Sequence, residues 1–262
     1  MAAGCSVMTS GRGSPCLYSR DVIRVTGGIY GGIRSEVAAV EPNGSLTIIN
    51  ASLSSKLKRC AILLAPALSS EKTGTESSQP AAPSDVGTAS FTMSGGSIVY
   101  TDKGAVFHVE GCTGVIELSG VKIMALSDLL LEAVGPEAGS TTEGATHAVL
   151  KADRQTLAGD ISADATSVID LALSDQSSLV GSIDPKDKAG EINLTLDADS
   201  TWKLTADSYV SGLSLAAGTS GTTISAIVGN GHTVYYDPSA LLSSALAGKT
   251  FSLKGGGYLK PA

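Results

Sequence analysis

The chain has 262 residues, of which 42% are hydrophobic and only 16% charged, a balance that indicates a folded, β-rich protein rather than a disordered one. Its formal net charge of −7 argues against nucleic acid as a partner, because binding to a phosphate backbone requires clustered lysines and arginines. The sequence also lacks a run of about 18 apolar residues, so we expect no membrane span.

The first residues, MAAGCSVMTSGRG, have neither the basic start nor the apolar core of a signal peptide, so we expect no signal peptide in this chain. The chain contains four cysteines, Cys5, Cys16, Cys60 and Cys112. They show neither the CxxC pairs of a zinc site nor the density of a disulfide scaffold. We predict that they are small, buried apolar side chains, and we leave open whether Cys5 and Cys16 pair.

A short unit recurs along the chain: two apolar residues separated by one spacer, a turn residue, and a third apolar residue. The first apolar positions are Ile23, Leu46, Phe91, Ile116, Leu150, Leu171 and Leu194. The turn residues are Gly27, Asn50, Gly95, Gly120, Asp153, Asp175 and Asp197. The third apolar positions are Ile29, Leu53, Ile98, Ile123, Leu157, Leu179 and Trp202.

Apolar and polar residues alternate within each unit, which predicts half-buried strands. A repeat of about 23 residues has room for three short strands and three turns, the perimeter of one solenoid coil. We therefore expect an all-β fold, a right-handed parallel β-helix (β-solenoid) of roughly ten short coils, in which equivalent apolar positions stack into ladders.

Two insertions and the end of the chain depart from the repeat. Residues 66–88 and 135–146 are polar and rich in Pro, Gly and Ser, so we predict surface loops within a β-helix that covers residues 1–234. Residues 235–262 are predicted to be a C-terminal capping segment that protects the last coil. In it, Asp237 and Pro238 are predicted at the N-cap and first-turn positions of a short helix that continues from Ser239 to Ala247, Gly248 closes this helix, and a hairpin follows.

Several segments carry a family resemblance: SGRGSPCLYS, FTMSGGSI, VIELSGVKI, KADRQTLAGDI and NLTLDADSTWKLTADSYVSGLS. They resemble the C-terminal part of adhesin-like right-handed parallel β-helix proteins from bacterial and some fungal surfaces. The resemblance covers nearly the whole chain, although its motifs are structural. It implies a non-enzymatic structural or adhesin-like protein, secreted or on the cell surface, whose partner is a surface glycan or protein.

Members of this family carry further N-terminal coils and a signal segment, so the resemblance implies that the chain is the C-terminal part of a longer solenoid or a shortened relative. The first coil, around Met8 to Ser19, is then an open strand edge unless something outside the coil covers it. We therefore expect a tendency to self-associate end to end through the N-terminal coil.

The alternative function is a polysaccharide-binding or polysaccharide-cleaving β-helix protein. Cleavage would require a cation-binding carboxylate cluster with a basic residue, or a pair of carboxylates at glycosidase spacing. The acidic stretches DPKDK (184–188), DADS (197–200) and DLLLE (128–132) do not align on adjacent coils, and we interpret them as surface turns. We predict no catalytic residue, no cofactor and no metal site, because His108, His147 and His232 lack an Asp or Glu at ligand spacing.

Three aromatic residues, Trp202, Tyr235 and Tyr236, are the candidates for stacking on a sugar ring. The simpler interpretation of Trp202 is that it closes the apolar ladder of its coil, as Ile98 and Ile123 do in theirs.

Overall fold

The computed structural model describes residues 2–57, 59–66, 87–136, 145–216 and 222–262. Within these ranges the chain is all-β, with parallel strands in four sheets and a single short 3-10 helix. Apart from the two C-terminal strands, strands pair with their equivalents in neighbouring repeats rather than with the next strand along the chain, an arrangement consistent with a β-solenoid. The described part of the chain contains no helix with the length and apolar character needed to cross a bilayer.

Sheet A is built from the first strand of the successive repeats, and sheet B from the second strand of the first five repeats; strands are numbered in chain order. In spatial order, sheet A contains β1 (Ala2–Ala3), β4 (Val22–Thr26), β7 (Ser45–Ile49), β10 (Thr88–Ser94), β13 (Thr113–Ser119), β16 (His147–Asp153), β19 (Val168–Ser174), β21 (Glu191–Leu196) and β24 (Gly212–Leu215). Sheet B contains β14 (Lys122–Ala125), β11 (Ser97–Tyr100), β8 (Ser52–Ser55), β5 (Ile29–Gly32) and β2 (Ser6–Thr9).

The other two sheets complete the coils. Sheet C contains β18 (Asp160–Ala163), β15 (Leu129–Val134), β12 (Ala105–Glu110), β9 (Cys60–Leu64), β6 (Ala38–Val40) and β3 (Leu17–Ser19). Sheet D contains β17 (Thr156–Ala158), β20 (Ser178–Val180), β22 (Thr201–Lys203), β25 (Thr223–Val228), β27 (Phe251–Lys254), β28 (Tyr258–Pro261), β26 (Val234–Tyr236) and β23 (Ser208–Val210).

The predicted first apolar positions form one continuous ladder along sheet A. Its members, joined by the strand register, are Ile23, Leu46, Phe91, Ile116, Leu150, Leu171, Leu194 and Leu213. From Leu46 onward each of these side chains is buried, while Ile23 packs half-buried against the core. Each fully buried side chain of this size contributes roughly 1.5–3 kcal/mol through apolar burial. The predicted ladder is therefore confirmed.

The turn after each sheet A strand uses a left-handed backbone conformation, which glycine and asparagine adopt at little cost. Among the predicted turn residues, Gly27, Asn50, Gly95, Gly120 and Asp175 have φ angles between 51° and 65°. In the repeat of Asp153 the left-handed residue is the next one, Arg154, with φ 48°. The turn at Asp197 has no left-handed angle at that residue; its carboxylate instead accepts hydrogen bonds from the backbone N–H groups of Asp199 and Ser200.

The third apolar position is correctly predicted in every repeat but the first. Tyr30, not Ile29, pairs with Leu53, and Tyr30 is buried while Ile29 is 57% exposed. The next four repeats place this residue five positions after the second apolar one, as from Ile48 to Leu53, and the last two place it six positions after; Tyr30 lies five positions after Val25, whereas Ile29 lies only four. A shift by one residue turns a strand side chain to the opposite face.

The C-terminal segment contains the predicted helix and hairpin. The helix is shorter than predicted, a 3-10 helix at Leu241–Leu246. The predicted N-cap is wrong, because the Asp237 carboxylate accepts a hydrogen bond from the Ser239 N–H (2.7 Å) and the helix N-cap is Ala240. Strands β27 and β28 form the antiparallel hairpin, and β28 also pairs in parallel with β26, so this segment extends sheet D.

Two of the four cysteines match the prediction of buried apolar side chains. Cys60 and Cys112 are buried, and burial raises the pKa of Cys112 to about 12. Cys5 is exposed and Cys16 is only half-buried, so the prediction is wrong for these two, which lie near the first coil where less of the core covers them. The predicted loops at 66–88 and 135–146 fall mostly outside the described residues.

Candidate functional site

Two of the three candidate aromatic residues lie inside the core. Trp202 is buried in the sheet D ladder, and its Nε1 donates a hydrogen bond to the carbonyl oxygen of Gly181 (2.9 Å). Tyr236 is also buried, and its hydroxyl donates to the carbonyl oxygen of Lys249 (2.8 Å). Neither ring is accessible to a sugar, so these two candidates are wrong and Trp202 instead fills its ladder position.

Tyr235, the third candidate, lies half-buried on the outer face of sheet D. Its ring stacks on Tyr209 with the centroids 4.7 Å apart, and the Nζ of Lys260 lies 4.8 Å from the ring centroid. Tyr209 and Lys260 belong to the strands on either side of Tyr235, so they cover opposite faces of its ring. Tyr235 therefore offers a ligand only its edge and hydroxyl.

Each histidine faces a carboxylate from another repeat. His147 Nε2 lies 2.7 Å from Asp170 Oδ2, His108 Nδ1 lies 3.0 Å from Glu132 Oε2, and His232 Nδ1 lies 3.6 Å from Asp207 Oδ1. The acids are 23 to 25 residues from their histidines, which is about one repeat. Spacing along the sequence does not reveal these pairs, because they form only when strands of neighbouring repeats lie side by side. Among the described residues, no group of three His, Cys, Asp or Glu side chains could hold a metal ion.

An open groove of about 600 Å³ lies on the outer face of sheet A, where β16, β19 and β21 meet the 3-10 helix. We call it the sheet A groove. Its floor carries polar and charged side chains, among them Lys151, Asp170, Glu191, Asn193 and Thr195. Its wall is apolar and consists of Ala240, Leu241 and Leu242. Hydroxyl and amide partners beside an apolar wall are the usual composition of a site that orients a polar ligand.

Two carboxylates approach each other on the floor of this groove. Asn193 Nδ2 donates hydrogen bonds to Asp170 Oδ1 (3.0 Å) and to Glu191 Oε1 (2.8 Å). Because both oxygens bind one nitrogen, they are separated by less than about 6 Å, a limit that includes the roughly 5–5.5 Å typical of retaining glycosidases. His147 holds the second carboxylate oxygen of Asp170. Asp170 and Glu191 belong to none of the acidic stretches considered in the sequence, so this pair was missed.

The apolar wall of the groove depends on a glycine in sheet A. A Cβ atom at Gly212 would collide with the Asn193 side chain and lie 3.0 Å from Leu242 Cβ. The missing side chain lets the 3-10 helix approach, and Ser243 Oγ accepts a hydrogen bond from the Leu213 N–H (3.1 Å). Leu241 remains 90% exposed beside the groove. The position of this wall is thus fixed by packing against β24.

A charged cluster, the sheet C cluster, lies on the outer face of sheet C and consists of Arg59, His108, Glu110 and Glu132. His108 is buried between the two glutamates, and Arg59 pairs with Glu110. The hydrogen bond from His108 lowers the pKa of the Glu132 carboxyl, against a smaller opposing effect of burial. The charged groups of these four side chains therefore form ion pairs and hydrogen bonds mainly with one another.

The three acidic stretches have structural roles. Asp184 accepts hydrogen bonds from the N–H groups of Lys188 and Ala189, and Asp197 caps its own turn, as expected for surface turns. The stretch 128–132 was wrongly interpreted as a turn, because it runs into strand β15 and supplies Glu132 to the sheet C cluster.

No protein-family model, curated protein or solved structure matches this chain.

Proposed function

We propose that this protein is a non-enzymatic, adhesin-like solenoid whose outer face on sheet A contacts a surface glycan or protein. We further propose that its coils, roughly ten in number, wind in a right-handed sense, as nearly all parallel crossovers do. The family resemblance supports a secreted or cell-surface location. It also supports end-to-end self-association through the N-terminal coil, since β2 and β3 are the last strands at one end of sheets B and C within the described chain.

The observation that supports this proposal best is a row of polar side chains that crosses sheet A in register. The row contains Arg24, Thr47, Thr92, Glu117, Lys151, Ala172, Thr195 and Ser214, of which only one is apolar. Neighbouring strands lie about 4.8 Å apart, so a polymer lying across the sheet meets mostly polar groups at regular intervals. Many weak contacts of this kind give avidity without a deep pocket.

The rigidity of the surface favours such binding, because groups that are already ordered lose little entropy when they bind. Glu117 accepts a hydrogen bond from Lys151 (3.0 Å), and Thr92 donates to Glu117 (3.5 Å), so neighbouring members of the row hold one another in place.

A glycan array combined with a reducing-end assay on the bound polysaccharides tests the proposal. Binding without cleavage is expected, and Thr195→Asp together with Leu241→Asp, which add charge to the groove, should abolish it. The matched control is Lys203→Asp on sheet D, which should leave binding unchanged. Equal binding by all variants would place the contact elsewhere and refute the assignment to sheet A.

Polysaccharide cleavage is the second candidate, and the close approach of Asp170 and Glu191 in the sheet A groove favours it. In this case one carboxylate protonates the leaving oxygen and the other attacks or stabilises the sugar. Release of reducing ends that is lost in both Asp170→Asn and Glu191→Gln, but kept in Asp175→Asn, would establish this function and rule out the non-enzymatic proposal.

A further inference from the structure

A second cavity, of about 400 Å³, lies on the outer face of sheet C, away from the sheet A groove. We call it the sheet C cavity. Its floor is formed by Ala39 of β6, Leu63 of β9 and Ala65, and the carboxylates of Glu36 and Glu41 line it as well. It is therefore an apolar floor combined with two acids.

The apolar floor departs from the pattern of the other strands. Ala39 pairs with Leu63, and both alternate with residues that face the core, so both lie on the outer face. They form a small apolar cluster with Cys60 and Ala65 that is separate from the main core. An outward-facing strand side chain is usually polar when it contacts water. The floor is thus suited to the aliphatic part of a ligand.

Glu41 provides the observation that points to a ligand. Its side chain is buried, with 8% of the residue exposed, and Oε2 accepts a hydrogen bond from Arg20 Nε (3.0 Å). Its second oxygen, Oε1, is buried and accepts no hydrogen bond from any residue that the structure describes. A buried acceptor without a donor is costly and rare in native proteins. A donor on a bound molecule would complete its hydrogen bonding.

The charges around the sheet C cavity limit which chemical group such a molecule can carry. Glu36 is buried as well, and its Oε2 accepts a hydrogen bond from the neutral Ser35 hydroxyl (2.8 Å). Arg20 is the cation that pairs with Glu41, and it is mostly exposed at the rim. Burial raises the pKa of the Glu41 carboxyl, which is consistent with an anion that lacks full compensation.

We propose that the sheet C cavity binds an alkylammonium group. The aliphatic chain lies on Ala39, Leu63 and Ala65, and the ammonium donates a hydrogen bond to Glu41 Oε1. A free amine and a lysine side chain share this chemistry.

Titration of the protein with n-pentylammonium, followed through the methyl NMR signals of Ala39 and Leu63, tests the proposal, with n-pentanol as the neutral probe. Saturable binding of the amine but not of the alcohol is expected. Glu41→Gln should weaken binding about tenfold or more, because a hydrogen bond to a charged group is lost. The matched control, Glu117→Gln on sheet A, should bind the amine like the unmodified protein.

A parallel titration with Nα-acetyl-lysine amide separates the two sources. Tighter binding of the capped lysine than of pentylammonium would assign the site to a protein side chain, and the reverse order to a free amine. If Glu41→Gln does not fold, Ala39→Leu fills the floor while retaining the carboxylate and should also abolish binding. Equal binding of amine and alcohol, or full binding by either cavity variant, would overturn the proposal.

Discussion

Replacing Trp202 by alanine should be among the most destabilising single changes in the described chain. The indole is fully buried, and removing an aromatic side chain of this size from a core costs about 3–5 kcal/mol. The change also removes the donor to the Gly181 carbonyl, and an unpaired buried acceptor costs about 1–3 kcal/mol. Trp202→Phe retains most of the ring, so it should lose mainly the hydrogen bond and cost about 1–3 kcal/mol.

Urea unfolding followed by far-UV circular dichroism measures these differences, since the variants lack the chain's sole tryptophan as a fluorophore. The control is Tyr235→Ala, which loses a half-exposed stacking partner and a cation–π contact and should cost only about 1–2 kcal/mol. If Trp202→Ala cost less than about 1 kcal/mol, or if acrylamide quenched Trp202 fluorescence in the folded protein as strongly as in the unfolded one, burial of the indole would be refuted.

Three further predictions concern a turn, a thiol and a carboxylate. Gly96→Ala should destabilise the protein by at least about 1 kcal/mol more than Gly120→Ala in urea unfolding. Both glycines have positive φ, but only at Gly96 would a Cβ atom collide with the backbone, at the Ala51 carbonyl. Equal destabilisation by the two substitutions would contradict this. Cys112, whose pKa burial raises to about 12, should react with iodoacetamide at about pH 8 only after unfolding, and mass spectrometry would detect modification of the native protein as a contrary result. Because the fold lowers the pKa of Glu132, the ionised side chain contributes its full stabilisation at pH values above 4.5, the ordinary pKa of this group. This contribution is lost as the pH falls through the lowered pKa. Melting temperatures across the acid range should therefore depend less on pH in Glu132→Gln, and an unchanged profile would argue against the pairing with its histidine.

The apolar ladder was predictable from sequence because two constraints agree. Strand side chains alternate with a period of two, and the repeat brings Leu46, Phe91 and Ile116 to the same position of successive coils. The slip at Ile29 has a local cause, since it stands next to Tyr30 and either residue satisfies an apolar pattern. The length of the turn after Val25 decides which of the two side chains enters the core.

The sites were less predictable because they arise between coils. His147 and Asp170 are 23 residues apart, and their contact follows only once the register of β16 and β19 is known. Repeat steps in this chain vary from 21 to 45 residues, so sequence alone left that register open. The groove wall is harder still, because no local pattern indicates that Leu242 returns to pack beside Gly212.

The outer faces of sheets A and C differ in their composition, and we predict that substitutions on one face do not affect stability or binding on the other. The sheet A groove combines a charged floor with the apolar wall of the 3-10 helix, whereas the sheet C cavity combines an apolar floor with two buried glutamates, and no residue lines both sites. Changes at sites without shared partners usually add within about 0.5 kcal/mol. The double variant Asp170→Asn/Glu41→Gln should therefore change the free energy of unfolding by the sum of the single effects, with each substitution altering ligand binding at its own face only. A larger deviation in urea unfolding would mean that the core transmits strain between the faces, and the two sites would then have to be treated as coupled.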